Sequence, residues 1–217
     1  MLTLDTARAC ASALALSRSA VVLDPDAARP WLLALESAVA LVPGAGPVLT
    51  TVRGLVSGAA ESVAGLALPS PWGTLVLLSP RALVDGPTYL SVVAHELVHA
   101  AQASVVGAAQ VAVDYLSPEM RALREAEAGG VGLWVRYLLT GARPSPDDAG
   151  AVSSPLYHLA EHDRAFARAV VEGTLSAIEF GAVPPHSVAR AVLAWLREHA
   201  PDAILAAEYA SRATVTP

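Results

Sequence analysis

The stretch Ser91–Gln102, SVVAHELVHAAQ, sets two histidines four residues apart in an otherwise apolar run, with a carboxylate directly after the first. On a helix, residues i and i+4 project from one face a turn apart, so His95 and His99 can offer two imidazole nitrogens to one ion. Glu96 points roughly 100° further around the axis, where its carboxylate can reach a water beside that ion without ligating it. Burying three ionisable side chains with no such partner would leave polar groups unsatisfied, so the spacing reads as a metal clamp with an adjacent base.

The flanking sequence supports a helix here. Asp85, Gly86 and Pro87 are N-terminal signals and Gly107 is a stop signal, which predicts a helix from about Pro87 to Val106. Before it, SVAGLAL and GTLVLLS, separated by PSPWG, predict a hairpin, and AVVLD near residue 20 a further short strand. Helical spacing also marks about Asp5–Ser19, Asp26–Val42 with Pro30 in its first turn, Val48–Glu61, Ser117–Leu139, Pro155–Phe180, Pro185–His199 and a last segment from about Asp202. The tract TGARPSPDDAG after residue 139 reads as an exposed loop. The expected class is α+β, predominantly α-helical, in a single domain over residues 1–217. Its parts are an N-terminal helical segment (1–60), a centre with the sheet and the motif helix (61–141), and a C-terminal helical segment (142–217).

Composition narrows the functional classes. The chain is 54% hydrophobic and 16% charged, far from a disordered composition. Its net charge of −6 and scattered arginines, with no lysine, supply no basic stripe for a nucleic acid. Apolar runs are broken by Glu36, Pro43 and Pro47 or by the motif itself, so no membrane span is expected. Asp5 precedes the first basic residue, unlike the charged start of an export signal, and the lone Cys10 fits a buried small hydrophobe. A cytoplasmic location is the expectation.

The motif His-Glu-x-x-His at 95–99, in a helix after a small sheet, resembles the zincin metallopeptidases over about Gly73–Gly141. That resemblance implies Zn²⁺, hydrolysis of a peptide or protein substrate, and a fold with the helix across the floor of a cleft. A catalytic zinc takes three protein ligands. No histidine follows at metzincin spacing, whereas MRALREAEAGGVG on the next helix offers a glutamate, the third ligand of the gluzincin branch.

Glu125 and Glu127 both qualify. The small residue common three positions after that ligand would be Ala128 or Gly130 respectively. Glu127 lies nearer the stripe Met120, Leu123, Val131, Trp134 and Leu138, while Glu125 could merely pair with Arg121 on the surface. Glu125 is favoured, giving the set His95, His99 and Glu125 with Glu96 as general base. Where the branch often carries an aspartate to orient a histidine this chain has Gly129, so the orienting group is unidentified. Tyr157, His158 and His162 are candidates for stabilising an oxyanion, and His186 and His199 read as helix-terminal residues. The rival readings are an idle zinc-binding scaffold, which both glutamates ligating would favour, and a metal-free helical interaction module.

Overall fold

The computed structural model describes residues 1–41, 52–53, 64–70, 72–114, 117–144 and 161–204. The expected helix Val48–Glu61 therefore falls outside the described residues apart from Val52 and Arg53. So do the start of the expected Pro155–Phe180 helix, most of the loop before it, and the last helical segment beyond residue 204.

The described elements run α1 (Leu4–Leu16), β1 (Ala20–Leu23), α2 (Pro25–Val39), β2 (Gly65–Ser70), β3 (Gly73–Leu78), a 3₁₀ turn (Pro80–Leu83), α3 (Gly86–Val106), α4 (Ala108–Asp114), α5 (Pro118–Thr140), α6 (Glu161–Glu179) and α7 (Ser187–His199). The class is α+β, mostly helical, with a small sheet. No described helix is long and apolar enough to cross a membrane.

Strand β3 is central, parallel to β1 on one side and antiparallel to β2 on the other. It reads Thr-Leu-Val-Leu-Leu without alternation because both faces of the sheet are covered. Leu23, Leu66, Leu68, Leu75 and Leu77 pack with Ala28 and Leu32 of α2. Ala20, Val22, Ala67, Val76 and Leu78 turn the other way, into the main core with α1 and α3. β2 is an edge strand, and its Pro69 has no N–H to give, which an edge tolerates.

Helix α1 buries Ala7, Cys10, Ala11, Leu14 and Ala15, one stripe at helical spacing. Cys10 is wholly buried, and burial pushes its thiol up to about 12, well outside the reactive range. Asp24 precedes α2, but its carboxylate serves α1 and α3 instead of capping. Oδ2 accepts from Arg8 Nε at 2.9 Å and Oδ1 from the Tyr89 hydroxyl at 3.0 Å. This ties the first helices to the N-terminal end of α3.

Two details depart from the sequence reading. Pro30 is not in a first turn, because α2 begins at Pro25 and that proline takes the N-terminal place. Pro30 lies inside the helix on its exposed side, where the carbonyl that loses its donor meets water. The short helix α4 was also not foreseen. It follows Gly107, whose φ of 86° ends α3.

Helix α3 opens as its sequence signals require, with the Asp85 carboxylate accepting from Thr88 N at 2.6 Å and Pro87 in the first turn. It is buried over Leu90, Val93, Ala94, Leu97 and Val98 against α1, the sheet and α5. Helix α5 starts at Ser117, whose hydroxyl accepts from Met120 N. The helix is packed by α3 on one side and by α6 on the other.

Candidate metal centre

Three side chains from these two helices converge. His95 Nε2 and His99 Nε2 stand 3.2 Å apart, one turn apart on α3. The Glu125 carboxylate straddles them from α5, with Oε2 at 3.6 Å from His95 Nε2 and Oε1 at 3.6 Å from His99 Nε2. Ligands at zinc bond lengths of roughly 2.0–2.2 Å in a tetrahedron lie about 3.3–3.5 Å from one another. The three residues thus form a triangle in which each histidine meets a different Glu125 oxygen near that spacing and one donor atom from each lies within 4.8 Å of the others, a donor set of two imidazoles and a carboxylate. His99 and Glu125 are buried, whereas the His95 side chain keeps 23% exposure, so the centre is approached from the His95 side.

Close helix approach makes this geometry reachable. Ala128 is fully buried, and at Gly132 an added Cβ would lie 3.2 Å from the Ser91 carbonyl and 3.5 Å from His95 Cβ. The Ser91 hydroxyl donates to the Gly132 carbonyl at 2.8 Å, locking α3 to α5 at the level of the histidine.

Glu127 is not part of the triangle. It is exposed, and its Oε2 accepts from Gln102 Nε2 at 2.9 Å. The anticipated stripe on α5 holds only in part: Val131 and Trp134 are buried and Leu138 packs on the core, but Met120 is exposed, while Arg124, Glu125, Ala126 and Ala128 are also buried. A helix packed on two sides buries more than one stripe, so a single-stripe reading misplaced the odd polar residue.

The group that orients His99 is Gln102, one turn further along α3 and itself buried. Its amide nitrogen faces two groups that can only accept, Glu127 Oε2 and, at 3.3 Å, the Arg124 carbonyl. Its oxygen therefore faces His99 Nδ1 at 3.0 Å, which must be the donor. That fixes a proton on Nδ1 and makes Nε2 the nitrogen turned to the triangle, the one that would ligate once deprotonated. Arg124, whose side chain pairs with Asp114, also holds α4 against α5. The sequence signal for Gln102 was a lone amide three residues after the second histidine on an apolar helix.

Glu96 is buried beside strand β2. A Cβ on Gly65 would come 2.8 Å from Glu96 Oε1 and 2.9 Å from its Cγ, so only glycine at 65 leaves this carboxylate its place. No pattern in the sequence links these two positions.

Burial pushes the Glu96 carboxyl above its usual range, against the pull of His95 and His99, and Glu125 adds to the rise. Burial alone would lower His99, but Glu125 outweighs it and holds the metal-free imidazole at about 9. Burial would likewise raise Glu125, yet His99 and His95 keep it well below the ordinary carboxylate range. The centre therefore carries one carboxylate held ionised against the histidines and a second for which protonation is eased.

None of the remaining candidates among the described residues joins this centre. Tyr157 and His158 are outside the described residues. His162 is 75% exposed at its side chain and pairs with Asp163 rather than approaching His95. His186 caps α7 by accepting from Val188 N, and His199 ends that helix stacked on Trp195. No protein-family model, curated protein or solved structure matches this chain.

Proposed function

We propose that the chain is a zinc-dependent metallopeptidase of gluzincin type, with His95, His99 and Glu125 holding Zn²⁺ and Glu96 acting as general base. The observation that carries this reading is the convergence of His95, His99 and Glu125: the two Nε2 atoms stand 3.2 Å apart, each 3.6 Å from its nearer Glu125 oxygen, and one donor atom from each residue lies within 4.8 Å of the other two. When bound, zinc supplies Lewis acidity that polarises a carbonyl and eases the deprotonation of water.

The chain's own residues supply the rest. Glu96 takes a proton on its carboxylate and delivers it to the departing amine, a task served by a carboxyl raised toward working pH. Gly65 gives that carboxylate room, and Gln102 keeps His99 in the tautomer whose Nε2 is free to ligate. β2, at the edge of the sheet beside Glu96, is the element that would form one wall of the cleft that the zincin resemblance implies.

The idle-scaffold reading is less well supported, since a closed structural site takes a fourth protein ligand and Glu127 is engaged with Gln102. The two readings separate on one variant. Glu96→Gln is expected to retain stoichiometric zinc and the wild-type melting temperature while losing peptide hydrolysis by at least about 100-fold, the general-base contribution. Hydrolysis of a mixed peptide substrate and metal content, each measured with and without chelator, are the readouts. Zinc without hydrolysis in the wild-type chain would favour the scaffold, and no zinc at all would leave the metal-free interaction module.

A further inference from the structure

The N-terminal ends of α5 and α6 gather a second set of side chains able to ligate a metal. Glu119 lies in the first turn of α5, and His162 and Asp163 lie in the first turn of α6. One donor atom from each is within 4.8 Å of the other two. Glu119 precedes Glu125 by six residues, about 9 Å along the helix, so this set is separate from the His95 centre.

Glu119 and His162 are exposed, and acidic residues at helix N-termini follow from the helix dipole without any ion. Asp163 does not fit that account. It is only 2% exposed; its Oδ1 lies 3.1 Å from His162 Nε2, and its Oδ2 is buried and accepts no hydrogen bond from any described residue. A carboxylate withdrawn from water with a bare oxygen is costly, and in native proteins such an oxygen calls for a partner. The neighbouring donors are an imidazole and a second carboxylate, which make a cation the partner that satisfies all three at once.

We infer that Glu119, His162 and Asp163 form a second divalent-cation site that ties the N-terminal end of α6 to that of α5. One imidazole with two carboxylates suits a first-row transition ion such as Zn²⁺, Co²⁺ or Mn²⁺ better than Ca²⁺, which prefers an all-oxygen shell. The spread of up to 4.8 Å exceeds the roughly 3.3–3.5 Å between ligands of one ion. Glu119 and His162 are exposed, and closing that gap requires Glu119 to turn from the Ser117 hydroxyl, which donates to its Oε2 at 2.7 Å. Beneath the site the two helices meet through Ala122, Ala126, Ala167 and Val171. A clamp at their ends would hold that small-residue interface together. Because the ion would face solvent on two of its ligands, this site binds more weakly than the buried one.

The test is titration of the metal-stripped full chain with Zn²⁺ alone, against a chelating indicator. The wild-type chain is expected to take up two equivalents, one tight and one weaker. Glu119→Gln and His162→Ala, both at exposed positions, are expected to weaken the second equivalent at least about tenfold and leave the first unchanged. The double variant His95→Ala/His99→Ala should keep the weaker equivalent and lose the tight one, whatever the first centre does. A wild-type chain that binds a single equivalent, with that equivalent unaffected by Glu119→Gln and His162→Ala, overturns the inference. So does a second equivalent that survives both Glu119→Gln and His162→Ala, or one that disappears from the double variant while its circular dichroism is unchanged.

Discussion

Two glycines of α5 stand two residues apart and meet opposite surroundings. Gly132 faces α3, where an added Cβ would crowd the Ser91 carbonyl and His95 Cβ. Gly130 faces α6, where it would lie 2.9 Å from Thr174 Oγ1 and 3.1 Å from Cγ2. Around Gly132 the interface is polar, with Glu125 and the histidines in line. On the side toward α6 it is alanine and valine. Both interfaces need backbones close together, but only the first converts closeness into donor geometry. Changes on the α3 side should therefore be read in metal affinity, and changes on the α6 side in stability.

The largest effect expected breaks the α3 side outright. Glu125→Ala should lower zinc affinity by well over the roughly 100-fold that loss of an outer partner costs, whereas Glu127→Ala should stay within about tenfold. Competition titration of the two metal-free variants measures both, and the opposite ranking would transfer the ligand role to Glu127. Next comes the orienting amide. Gln102→Ala removes the acceptor that fixes the His99 tautomer and should weaken zinc binding roughly 10- to 100-fold; unchanged affinity would show that the tautomer needs no fixing.

The glycines themselves sharpen the contrast. Gly130→Leu overpacks the α6 side and should cost about 1–3 kcal/mol of stability while leaving zinc affinity within about twofold. Gly132→Ala gains about 1 kcal/mol of helix propensity, which offsets its tight contacts, so its melting temperature should hardly move while zinc affinity falls. Thermal melts paired with titrations separate the two patterns. If both variants lose stability and affinity together, the two faces are not independent.

The smallest effect is electrostatic. In the metal-free chain Glu125 outweighs burial and raises His99 from 6.5 to about 9, so the His99 share of the stabilisation is full below about pH 6.5 and is lost as pH rises through 9. Glu125 is depressed, so its share is present above about 4.5 and lost as pH falls. The melting temperature with chelator should thus decline between pH 6.5 and 9.5, and Glu125→Gln should flatten the decline. A decline that persists in that variant would assign it to other groups.

Local signals were the legible part of the sequence. Caps and breakers put α3 and α5 within one residue of their observed ends, since Asp85, Gly107, Ser117 and the two N-terminal prolines act where they stand. The hairpin and the strand near residue 20 were legible too, though not that β1 pairs in parallel with β3, which depends on where the chain returns. His95, His99 and Glu96 were readable because one helix carries all three. The choice between Glu125 and Glu127 was harder, because the buried face of α5 is set by two neighbours rather than one. Gly65 and Glu96 come from separate elements, and their contact exists only once the sheet is docked. Tyr89 meeting Asp24 is of the same kind.

Apart from Gly65, every side chain of the His95 centre comes from α3 or the nearby α5, with only α4 and short links between them. Parts close in sequence meet early during folding, whereas the parallel pairing of Ala20 with Thr74 must wait for a longer loop to close. On the proposed reading, an ion present while the chain refolds would be captured by a pair of helices before β1 joins β3, and zinc should speed the slow phase of refolding. The niche for Glu96 is finished only when β2 docks. Gly65 stands 31 residues before Glu96 and Glu125 stands 30 after His95, so on the proposed reading the base's niche and the metal ligands would come together over loops of nearly equal size, both ahead of β1.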